Sequence, residues 1–243
     1  MKFLISLPLC LSFLLSCTQT VAQVNSADSI FYQSAIYNAL AFYQQAGTDQ
    51  SRLFNGREYK PYRISFTGGH PFFLSDKFSA GAVIYEDGIY DHVQLLYDEV
   101  KEMVIAETGV SIELITERIG EFTIAGHRFT RLPADSAATK MAGGFYENLY
   151  NGKTGVYKKE RKFLGEDLSD TDGIKGVVTT KTYYYLKKSG QYYLVKNKGQ
   201  VYNVLRDRKN EIQQYIKSNS LDFKHDMDNT LAKIAAYYDQ LTK

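Results

Sequence analysis

From Arg57 to Leu205 the apolar side chains recur at every second position, and clusters of Gly, Asn, Asp and Ser break the pattern every eight to twelve residues. A period of two is the spacing at which a strand turns the same face to a core. Breaks this frequent leave connections too short for a parallel crossover. The spacing therefore predicts an antiparallel meander, with strands over 81–85, 90–97, 102–107, 110–115, 122–124, 127–132, 144–150, 153–161, 177–187, 191–196 and 200–205. Asn151-Gly152 is a strong hairpin signal, because both residues tolerate the positive φ of a tight turn. Residues 163–176, rich in Gly, Asp and Ser, read as a solvated loop.

Outside this region the period is helical. Ile30, Phe31, Ala35, Leu40, Ala41 and Phe42 recur near 3.6-residue spacing and Gly47 supplies a stop, which predicts one amphipathic helix over 26–47. After Arg206, Ile212, Tyr215 and Ile216 mark a second helix, and Leu231, Ile234, Ala235, Tyr238 and Leu241 a third. The latter two form a helical pair over 206–243. The expected class is α+β, mainly antiparallel β: a curved meander sheet, half-barrel or barrel, with an N-terminal helix and a C-terminal helical hairpin covering it.

The first 22 residues have a different character. Lys2 precedes an apolar run from Phe3 to Leu15, and a short polar stretch ends at Thr20-Val21-Ala22, the build of a secretory signal peptide. Leu14-Leu15-Ser16-Cys17 offers a competing outcome, in which Cys17 becomes the lipid attachment point of a lipoprotein. Export to the periplasm or outer membrane is expected either way, with the soluble form favoured over the lipid-anchored one. Removing 22 residues leaves about 221, within the range of a single domain over 23–243. The only cysteines, Cys10 and Cys17, lie inside this leader. Cleavage after Ala22 would thus leave neither a disulfide nor a thiol nucleophile nor a cysteine-ligated zinc.

The charge balance of 29 basic and 27 acidic residues gives a net of +2. That is too little to point to nucleic acid or to an anionic membrane as a main partner. No apolar run reaches the 18 residues of a membrane helix, so membrane contact is expected only through a lipid at Cys17. Twenty Tyr and fourteen Phe stand beside no Trp. Tyr suits half-buried strands, where its ring packs and its hydroxyl stays wet.

Leu53-Phe54-Asn55-Gly56-Arg57-Glu58-Tyr59, then Gly69-His70-Pro71-Phe72-Phe73, Val83-Ile84-Tyr85 and Leu96-Tyr97-Asp98, occur in that order. This series, with the Tyr-rich strands and the tail carrying Leu205, Lys209, Glu211, Ile212, Tyr215, Ile216, Lys217 and Tyr237-Tyr238, resembles a family of exported Bacteroidota proteins. The resemblance covers most of the chain beyond the leader. It implies a leader cut before Gln23 and brings no activity with it.

Few residues point to chemistry. His70 sits beside two glycines that permit close backbone approach, but a turn histidine bonded to a nearby carbonyl explains it equally well. His92, His127 and His225 share no face, so no histidine metal site is expected. Asp167, Asp170 and Asp172 precede Gly173, yet a calcium loop in that register would need Leu168 and Thr179 as ligands. Glu113, Glu117 and Glu121 are near in sequence, but an acid-pair glycosidase needs two carboxylates facing each other across a cleft. No Gly-x-Ser-x-Gly elbow occurs. Tyr183, Tyr185 and Tyr193 are candidates for a ligand surface, since aromatic faces stack on sugars and line apolar sites, while consecutive tyrosines must divide between both sheet faces. The expectation is a non-enzymatic binding or scaffold module of the cell envelope, without a cofactor. Its partner would be an envelope protein, an apolar small molecule or a carbohydrate. The alternatives are a subunit of an outer-membrane assembly and an acid-pair hydrolase.

Overall fold

A computed structural model describes Leu53 and residues 55–86, 88–134, 141–167 and 174–243. The leader, Cys17 and the helix expected over 26–47 lie outside the described residues, as do Asp170 and Asp172.

Among the described residues twelve strands form one sheet: β1 (Arg57–Glu58), β2 (Phe66–Gly68), β3 (Ser79–Tyr85), β4 (Gly88–Asp98), β5 (Met103–Glu107), β6 (Ser111–Glu113), β7 (Ile119–Ile124), β8 (His127–Leu132), β9 (Gly144–Tyr150), β10 (Gly155–Asp167), β11 (Lys175–Lys188) and β12 (Gln191–Val195). Their order is β1-β6-β5-β4-β3-β7-β8-β9-β10-β11-β12, antiparallel throughout, while β2 adds to β11 in parallel. The fold is thus α+β with a mainly antiparallel sheet. It is open, because β1 and β12 end the ladder without meeting.

Ring contacts show how strongly the first part of the sheet curls. Tyr97 on β4 and Phe145 on β9 have centroids 5.9 Å apart, although β3, β7 and β8 lie between their strands. In a flat sheet four strand spacings would separate them by roughly 19 Å. The inward face therefore closes on itself. Phe122 stacks on Phe129 at 4.8 Å and meets Phe145 edge-on at 5.1 Å, and Val83, Leu95 and Val104 fill the remaining space.

Three helices follow the sheet: α1 (Lys198–Val204), α2 (Lys209–Ser218) and α3 (Met227–Leu241). Where the alternation predicts a strand over 200–205, the chain is helical, and the sheet ends at Val195. Asn197 is the physical reason, because its side chain caps the helix by accepting from the Gln200 amide. Val201 and Leu205, read as strand residues, are buried one helical turn apart against Ile212, Ile216, Leu231 and Ile234. Residues 163–176 also depart from expectation. β10 and β11 pair continuously from Gly155↔Lys187 to Asp167↔Lys175, so residues 163–167 and 175–176 of the expected loop belong to a two-stranded ribbon, supported by backbone bonds that ignore side-chain polarity.

The helices cover the face that carries Val156 on β10 and Leu186 on β11. Asp239 of α3 fastens them further. Its two carboxylate oxygens accept from the Thr154 amide at 3.0 and 3.1 Å, and Tyr150 donates to it at 3.2 Å. The bend joining β9 to β10 is therefore held by the last helix. No helix among the described residues is long and apolar enough to cross a membrane.

Candidate functional site

The register of β10, β11 and β12 sorts the tyrosines. Tyr157↔Tyr185, Lys159↔Tyr183, Arg161↔Lys181 and Phe163↔Thr179 are directly opposed, as are Tyr185↔Leu194 and Lys187↔Tyr192. All of these project from the face away from the helices. Tyr184 projects to the other side, where its hydroxyl donates to Asp228 of α3 at 2.5 Å. Tyr193 opposes Leu186 and so also belongs to the helix side; its hydroxyl donates to Gln191 at 2.7 Å. The structure thus brings Tyr183 and Tyr185 together and places Tyr193 apart from them.

On the face away from the helices the rings form a connected strip, in which Tyr146, Tyr157 and Tyr185 are buried with Leu132 and Met141 while Tyr183 and Tyr192 are partly exposed. Tyr146 of β9 meets Tyr185 edge-on at 5.6 Å, and Tyr157 meets Tyr192 at the same distance. Burial raises the hydroxyl pKa of Tyr146, Tyr157 and Tyr185 above the usual phenol value. Cations accompany the rings. Lys187 lies 5.6 Å from the Tyr192 centroid, Lys159 4.8 Å from that of Tyr146, and Arg161 and Lys181 each 5.3 Å from that of Phe163.

A polar seam runs beside this strip. β9 pairs with β10 only over Val156–Lys158, and the turn between β4 and β5 occupies the edge that β9 leaves open. There Lys162 donates its amide to the Glu99 carbonyl at 3.4 Å. Glu99, 2% exposed, lies with Oε2 3.0 Å from Lys162 Nζ but without the alignment of a hydrogen bond. Burial pushes its carboxyl up to about 7, against the pull of the Lys162 charge. Lys162 also donates to the Phe72 carbonyl. Asp98, fully buried, accepts from Tyr62 at 2.8 Å and from the Val100 and Lys101 amides at 2.9 Å.

Glu102 ends the turn and joins the seam to the tyrosine strip. Its carboxylate accepts from the Phe145 amide at 3.1 Å and from Lys159, which is 5% exposed. Burial lowers the Lys159 pKa, while Glu102 partly restores it. Gly144 makes the approach possible: its φ is +134°, and a side chain there would collide with the Glu102 carboxylate and the Lys159 ammonium. Lys159 was not visible as a site residue in the sequence, because a charged residue in a strand normally faces water. Its burial comes from the β4–β5 turn that carries Glu99 and Glu102, with Glu102 57 residues before it, and no local pattern encodes that approach.

His70 lies apart from the tyrosines. Its ring stacks on Phe72 at 6.3 Å and 26°, and its Nδ1 has no hydrogen-bond partner among the described residues. His127 pairs with Glu147 at 2.6 Å and His225 with Asp222 at 2.6 Å. Among the described residues no three His, Cys, Asp or Glu are grouped as metal ligands. Glu113 is held by Arg57 and Glu121 by Arg128, while Glu117 sits in the short 3₁₀ turn Thr116–Arg118, so these acids do not assemble into a pair.

The concave side of the sheet is packed with Tyr97, Phe122, Phe129 and Phe145. Comparison with family models, with curated proteins and with solved structures returned no match.

Proposed function

We propose that this chain is a non-enzymatic exported binding module of the cell envelope that holds a carbohydrate on the face of β10, β11 and β12 away from the helices. One observation carries this reading. The three helices cover a single face of these strands, and on the opposite face Tyr183 and Tyr192 stand partly exposed beside the buried Tyr157 and Tyr185. Aromatic rings fixed in a sheet lose little freedom when a sugar stacks on them, and their hydroxyls supply donors and acceptors at the rim. The leader-like N-terminus and the resemblance to exported proteins support the location.

Tyrosine fluorescence during titration with soluble polysaccharides tests the reading. Saturable binding is expected, weakened at least about ten-fold by Tyr183→Ala in a variant whose melting temperature matches the parent. Release of reducing ends, or the absence of binding to any polysaccharide, would overturn it.

A further inference from the structure

We infer that the carbohydrate on this face is acidic, a polysaccharide bearing uronic-acid carboxylates, and that Arg161 and Lys181 receive its charge. This rests on the binding reading above and specifies its ligand.

Four cations of β10 and β11 are committed to acids. Lys158 meets Asp228 at 2.9 Å, Glu160 at 3.0 Å and Glu147 at 3.7 Å, Lys159 meets Glu102, Lys162 meets Glu99, and Lys188 meets Asp207 at 2.5 Å. Arg161 and Lys181 have no ion-pair partner among the described residues. Both are exposed, and they stand directly opposite each other on the ribbon. Like charges placed in this way repel, and an ordinary sheet would put an acid at one of the two positions. What holds them is the Phe163 ring, 37% exposed, with each cation 5.3 Å from its centroid. The pair is therefore positioned over one spot, where a carboxylate would relieve the repulsion through charge-assisted hydrogen bonds.

The rest of the strip suits a sugar chain. Tyr183 follows Lys181 on the same face at the next alternate position and is partly exposed, before the strip passes into the buried Tyr185 and Tyr157. From Phe163 to the level of Tyr183 the accessible stretch runs roughly 13 Å, long enough for a short length of sugar chain. Glu102, which faces this region, is already committed to Lys159 and to the Phe145 amide, and Glu121 to Arg128. Nucleic acid is a poorer fit, because a net charge of +2 supplies little attraction and phosphate backbones are gripped by many cations at once. An anionic membrane surface would call for a denser basic cluster.

Calorimetric titration of the purified full chain with polygalacturonate, and with dextran as the uncharged polymer, tests the inference. Polygalacturonate is expected to bind at least about ten-fold more tightly, with an advantage that shrinks as salt is added. Arg161→Gln combined with Lys181→Gln should abolish the difference between the two polymers. Equal affinity for both polymers in the parent protein, or a difference that survives the double variant, would overturn the acidic ligand and leave the binding module standing. Tighter binding of a single-stranded oligonucleotide or of phosphatidylglycerol vesicles than of polygalacturonate would overturn it as well. Failure of both polysaccharides to bind would remove the broader reading with it.

Discussion

In the part of the sheet built from β3, β4, β5, β7 and β8, rings on one face meet each other across the curl. In the part built from β10, β11 and β12 that same face is covered by helices. Both parts start from one alternation of apolar and polar residues. The curled part supplies its own inner cover, so its aromatic residues are consumed as core. The helix-backed part needs separate elements to bury its apolar side, and on its second face Tyr157 and Tyr185 pack with Tyr146, Leu132 and Met141 into a smaller cluster while Arg161, Phe163 and Lys181 stand exposed. Aromatic content alone therefore says little about binding; the side on which a ring stands, and whether another element has claimed that side, decides it.

Substitutions in the two cores test this division most severely. Phe122→Ala would remove a ring stacked on Phe129 and in edge contact with Phe145, and should cost about 3–5 kcal/mol. Leu231→Ala, beneath the helices, should cost about 2–5 kcal/mol. Urea denaturation followed by far-ultraviolet circular dichroism and by tyrosine fluorescence is expected to give coincident transitions for each variant. Separate transitions would break the comparison into two independently folding units.

The seam between the two parts should respond to pH. The carboxyl of Glu99 titrates near 7 in the folded chain, above its ordinary value of 4.5, so the folded state holds the proton more tightly than the unfolded state does. Its contribution is fully present below about pH 4.5 and is lost as pH rises through about 7, a change of roughly 1–3 kcal/mol. Melting temperatures across that window are expected to show this loss in the parent and not in Glu99→Gln. An unchanged profile in the variant would mean that the seam does not couple the two parts through this group. A smaller effect is expected at the other end of the helix-backed part. Asp239→Asn replaces one acceptor facing the Thr154 amide with a donor, and should cost about 1–2 kcal/mol in urea denaturation.

The meander was legible because its turns are written locally. Ala125-Gly126 and Ser189-Gly190 adopt positive φ at the bends, as their position between alternating runs predicts, and the strands around them fall close to their expected limits. The errors have local causes too. Val201 and Leu205 fit a strand and a helix equally well over so short a run, and the single cap at Asn197 settles the choice. The ribbon over 163–167 and 175–176 was hidden because its composition is that of a loop, while its pairing depends on a partner strand. In the site, the division of the tyrosines between two faces was readable, but which face would remain open was not. That depends on where the helices settle. The opposition of Arg161 to Lys181 likewise follows from a register fixed by the whole hairpin.

Asp239 also sets an order of events. The bend at 151–154 lies in the middle of the chain, yet the carboxylate that satisfies its Thr154 amide belongs to a helix of 15 residues beginning at Met227. A chain emerging from its N-terminus can close the curled aromatic part while the rest is still being made. The β9–β10 bend has to wait for the final helix. A chain cut short before that helix would leave the Thr154 amide without its carboxylate and Val156 and Leu186 without part of their cover.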